Sequence, residues 1–163
     1  MAYMTESKQF AAPQQAYEDT PALGDPSMLD YSLRRVGARP LQFRGAELGM
    51  AMSFTPDLPY WFEINLFRTA DGGFATAIKT FFTSVDERDV FRAWQADTLD
   101  GAISQFEAFD PAQDIRPQAK LGGAGLSAAE LYGQALELQA RIAAARQHYA
   151  ALLGEFLYEL DDA

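Results

Sequence analysis

Few residues have the type and spacing to do chemistry. Gly123-Ala124-Gly125-Leu126-Ser127-Ala128 fits G-x-G-x-x-A, a pattern whose glycines let a helix N-terminus approach a pyrophosphate. That chemistry needs a strand just before the glycines, inside a parallel βαβ unit. The preceding stretch, Asp114 to Leu121, contains Pro117 and has no strand pattern, so the run reads as a linker into a capped helix. Lys120 precedes the glycines, the reverse of a P-loop. His148 is the sole histidine and there is no cysteine, which excludes multi-histidine metal sites, thiolate nucleophiles and disulfides. A Ser-His-Asp triad would have to join His148 to Ser53, Ser84, Ser104 or Ser127, and none of these lies in a Gly-x-Ser-x-Gly elbow. Asp97-Thr98-Leu99-Asp100-Gly101 lacks the alternating oxygen ligands of a calcium loop. Glu155, Glu159, Asp161 and Asp162 read as a solvated acidic helix end. The sequence therefore assigns no catalytic residue, no cofactor and no metal.

The aromatics offer a different chemistry. Trp61, Phe67, Phe81 and Phe82 suit a core, a partner surface or a ligand pocket. The 163 residues carry a formal net charge of −10. That excess of carboxylates argues against binding phosphates of nucleic acid or anionic membrane. It fits plain solubility, a basic protein partner, or a decoy that imitates the charge of DNA. Residues 1 to 10 hold Thr5, Glu6, Ser7, Lys8 and Gln9 with no apolar run before a cleavage site, and no long uncharged apolar stretch occurs. The expectation is a cytoplasmic protein.

The elements that must position these residues predict an α+β fold. Residues 1–40 read as a largely irregular N-terminal tail, with one patch, Ser27 to Val36, suited to a short helix or a docked strand. In 41–110, Leu48, Met50, Met52 and Phe54 alternate with Gly49, Ala51 and Ser53, which predicts a strand with the larger residues facing the core. Tyr60 to Thr69 and Phe74 to Thr83 alternate again around Ala70-Asp71-Gly72-Gly73, a hairpin signal. A loop of Asp71 to Gly73 pairs Leu66 with Ile78, Ile64 with Thr80 and Phe62 with Phe82. In the preceding hairpin, Phe54 pairs with Tyr60 and Met52 with Phe62. The result is a three-stranded antiparallel meander. Ser84 and Glu87 form a capping box that predicts one helix through Phe91, Trp94, Leu99, Ile103 and Phe106 to Pro111, packed on that meander. A Pro/Gly linker follows over 111–126.

A second capping box, Ser127 and Glu130, opens a long C-terminal helix over 127–163. Leu131, Ala135, Leu138, Ile142, Ala145, Tyr149, Leu152 and Phe156 repeat at steps of four and three, a heptad-patterned coiled-coil seam. At about 50 Å this helix is longer than so small a domain is wide, so part of it should project or pair with another chain. Leu131, Leu138, Ile142, Tyr149, Leu152 and Phe156 are the candidate interaction residues. The leading expectation is a non-enzymatic interaction or assembly protein that binds a protein partner or itself through this helix and the tail, with His148 able to make assembly pH-sensitive. A second expectation is a ligand-binding or catalytic domain with a pocket between sheet and first helix, near Trp61, Glu63 and Lys79. A third is the acidic decoy.

Overall fold

The structure is a computed structural model, and it describes residues 27–117 and 125–163. The class is α+β, as the periodicity predicts, but the sheet has five strands. They are β1 (Leu29–Leu33), β2 (Leu41–Met52), β3 (Tyr60–Thr69), β4 (Phe74–Phe82) and β5 (Val90–Ala96), all antiparallel and in chain order. After them come α1 (Leu99–Ala108), a 3-10 turn at Pro111–Asp114, and α2 (Ala128–Asp162). The patch Ser27 to Val36 thus supplies an edge strand. Residues 1–26, most of the expected tail, lie outside the described part.

The expected helix from Ser84 splits. Ser84 Oγ does accept from Asp86 N–H at 3.2 Å, but only to shape the turn before β5. Val90, Phe91 and Trp94 are β-branched or aromatic, and a fourth strand's backbone was there to pair with them, which outweighs a helical spacing. The helix begins at Thr98 instead, whose side chain accepts from Gly101 N–H at 3.0 Å.

Two registers also differ from expectation. Thr69 N–H donates to Gly73 C=O at 2.9 Å, so the β3–β4 loop is Ala70-Asp71-Gly72, with Gly72 at φ +91°. Ile64 pairs with Ile78 and Glu63 with Lys79. The slip is two residues, so each side chain keeps its face. In β2–β3 the slip is odd. A bulge at Leu48 lets Gly49 pair with Leu66, Ala51 with Ile64, Met50 with Asn65 and Met52 with Glu63. The alternation is as expected, but Gly49 and Ala51 face the helices, and Leu48, Met50, Met52 and Phe54 are each close to half exposed. The reason is steric. Phe156 and Leu160 of α2 lie against Gly49, where a Cβ would stand 3.0 Å from the Phe156 ring. Only the small residues leave room for that helix.

The main core lies between the sheet and the two helices: Phe62, Ile64, Leu66 and Ile78 with Phe106, Tyr149, Leu152 and Phe156. On the other face the sheet curls until the end of β1 reaches β5. Val36 N–H donates to Phe91 C=O at 2.8 Å, and Arg34 lies over the Phe91 ring. Leu41, Phe67, Ala75, Ala77 and Ala93 fill the inside of this curl, with Tyr31, Leu33 and Phe43 packed against them; the alanines of β4 and β5 permit the tight curvature. The α1–α2 connection is pinned at Asp114, which is buried. Its carboxylate takes two bonds from Arg92, at 2.5 and 2.7 Å, and one from Thr80 Oγ1 at 2.7 Å.

Candidate functional site

Alpha2 has 35 residues, about 52 Å of helix, and uses them unequally. Ala145, Tyr149, Leu152, Leu153 and Phe156 are buried against the sheet and α1. Tyr149 donates its hydroxyl to Phe106 C=O at 2.7 Å, and burial raises its pKa above the ordinary phenol value. Leu138 and Ile142 are half-buried at the margin of that core. Toward the N-terminus the helix leaves its sheet. Leu131 is 49% exposed, Tyr132 68% and Leu136 49%. Of the six candidate interaction residues, then, Tyr149, Leu152 and Phe156 are core of their own chain, Leu138 and Ile142 sit at the boundary, and Leu131 is open.

The free half is nonetheless well started. Ser127 N–H donates to Glu130 Oε2 at 2.7 Å, and Glu130 N–H donates to Ser127 Oγ at 3.2 Å, both halves of the capping box. These bonds hold the Glu130 carboxyl below its ordinary pKa. Gly133, on the free half, would place an added Cβ in open space.

Three contacts fix the angle at which α2 departs. Arg146 makes a two-point ion pair with Asp110 at 2.7 and 3.0 Å, and this lowers the Asp110 pKa to about 2. Arg141 donates to Arg116 C=O at 2.8 Å. His148 Nδ1 lies 3.4 Å from the Tyr60 hydroxyl, half-buried at the root of the helix; burial raises the Tyr60 pKa, with Arg141 pulling the other way. A cleft of about 890 Å³ opens beside the departing helix, between the Ser84–Asp89 turn, Arg116–Pro117, and Gln134 and Glu137 of α2.

The region proposed for a ligand is differently arranged. The interval between sheet and α1 is filled by Ala102, Phe106 and their core partners. Trp61, Glu63 and Lys79 stand on the opposite face. There Lys79 Nζ meets Glu63 Oε1 at 2.5 Å, and Asn65 Nδ2 donates to Glu47 Oε1 at 2.8 Å. Asn65 Oδ1 is buried without a partner among the described residues. Trp61 stacks on Phe81 and meets Phe54 edge-on, with ring centroids 5.2 Å apart in both pairs. The alternation of Leu48–Phe54 predicts a core-facing stripe, but Leu48, Met50, Met52 and Phe54 adjoin these residues on the exposed face. The signal that it is surface was the pair Gly49 and Ala51, small residues on the opposite side where a helix must approach. Of the Gly123–Ala128 motif, residues 123 and 124 lie outside the described part, and Ser127 caps the helix.

No protein family matches this chain, and neither the curated proteins nor the solved structures include a match to it. No helix among the described residues is long and apolar enough to cross a membrane.

Proposed function

We propose that this chain is a non-enzymatic assembly protein that self-associates through the free half of α2. The observation that carries this reading is the run of exposed Leu131, Tyr132 and Leu136 on a capped helix that has left its own sheet. An isolated helical stretch of this length is marginal in water and gains stability when its apolar side is covered.

A second copy is the occupant the sequence suits. Two such helices crossing antiparallel, centred between Ala135 and Leu136, would set Leu136 over Ala135 of the second copy, a large side chain against a small one. The same crossing puts Tyr132 beside Gln139 of the second copy, and all four residues share the side of the helix that is exposed.

Light scattering on the full chain is the test. The expected result is a dimer that becomes monomeric in the Leu131→Glu/Leu136→Glu double variant, with the helical circular dichroism retained. A full-length monomer at all working concentrations would refute it.

A further inference from the structure

Beta2 presents a second surface, remote from the free half of α2. Beta1 covers only Leu41–Gly45, so among the described residues Ala46–Met52 has no strand on its outer side. The antiparallel ladder fixes which backbone groups are left over. Ser53 N–H donates to Phe62 C=O at 2.9 Å, so Ser53, Ala51 and Gly49 turn their amides toward β3. Met50 and Met52 turn theirs outward. Their side chains share a face with Glu63 and Asn65 and continue through Phe54 to Trp61. Exposed edges are commonly guarded by charge, proline or a bulge; Glu47 and the bulge guard one end of this edge, whereas Gly49 to Phe54 contains neither charge nor proline.

The other face of the same strand is bordered by charge. Phe156 and Leu160 lie against Gly49, which sets the last turns of α2 beside β2. Those turns carry Glu155, Glu159, Asp161 and Asp162, all exposed, at the end of the helix where the dipole is already negative.

We propose that the Ala46–Met52 edge is a strand-addition site for an extended segment of a partner protein in which apolar and basic residues alternate. The partner's backbone pairs with Met50 and Met52. Its apolar side chains cover Met50, Met52 and Trp61. Its lysines or arginines point to the opposite face, as period two requires, and meet the carboxylates of the α2 end. A second copy suits this edge poorly, because joining two β2 edges would bring two acidic helix ends to one side of the combined sheet. The proposal does not depend on self-association through α2, and its readout involves no change of oligomeric state.

The experiment is a fluorescence-anisotropy titration of the full chain with a short labelled peptide of alternating valine and lysine. Saturable binding is expected, weakened roughly tenfold or more when the lysines become glutamates or when the peptide's central amides are N-methylated. Met50→Asp is expected to weaken binding as well, although pure charge attraction would strengthen it. Met50 is half exposed, so the variant folds, and circular dichroism checks this. The proposal is overturned by equal binding of the N-methylated or glutamate peptide, by tighter binding to Met50→Asp, or by no saturable binding. It is equally overturned if binding requires removal of residues 1–26, which would assign the edge to the chain's own N-terminus.

Discussion

Gly49 and Met50 are neighbours with opposite exposures, and exchanging their roles tests the face assignment of β2. In Gly49→Leu the new Cβ alone would stand 3.0 Å from Cε2 of Phe156 and 3.6 Å from Leu160. Phe156 cannot swing away, because it is 1% exposed and meets Phe106 edge-on at 5.7 Å. Overpacking of this kind costs about 1–3 kcal/mol, and a leucine with three further carbons belongs at the upper end. Replacing a strand glycine returns roughly 0.5–1 kcal/mol through the unfolded chain. The net loss should be about 2 kcal/mol, or a Tm lower by roughly 4–8 °C in a chain of this size. Met50→Ala removes a side chain that is half in water, so its loss should stay below about 1 kcal/mol. Thermal and urea unfolding of both variants provide the comparison. If Met50→Ala lost the 2–5 kcal/mol typical of a buried methionine while Gly49→Leu was neutral, the register placing Met50 opposite Asn65 would be wrong.

Asp114→Ala leaves the half-buried Arg92 guanidinium without its carboxylate, and urea denaturation should show a loss of about 3 kcal/mol, the low end for a broken buried pair, against little change for Arg146→Ala at the exposed pair. The Asp110 carboxyl has a folded pKa below its unfolded one, so the stabilisation from its pair is present above the ordinary carboxylate range and disappears as pH falls from about 4 to about 2. NMR titration should place its midpoint near 2 and return it toward the ordinary range in Arg146→Ala. Ser127→Ala should remove about 0.5–2 kcal/mol from the start of α2, seen as faster amide exchange confined to its first turns, while exchange near Tyr149 is unchanged.

What the sequence determined by itself was whatever depends on near neighbours. Period-two runs specified β2, β3 and β4, Asp71 and Gly72 specified the hairpin between them, and Ser127 with Glu130 specified where α2 starts, because alternation, turn conformation and capping act within a few residues of chain. Tertiary structure decided the choices that local pattern leaves balanced. Val90 to Ala96 carries both a helical and a strand spacing, and β4 settles it by offering a backbone to pair with. The Leu48–Phe54 alternation is symmetric with respect to face, and the bulk of Phe156 breaks the symmetry by accepting only Gly49 and Ala51 beneath it. The heptad row of α2 reads as one seam from Leu131 to Phe156, yet the sheet is wide enough to cover only its second half. The surfaces offered for function, the free turns of α2 and the open edge of β2, are therefore set by where the sheet ends, a long-range property that no local spacing encodes.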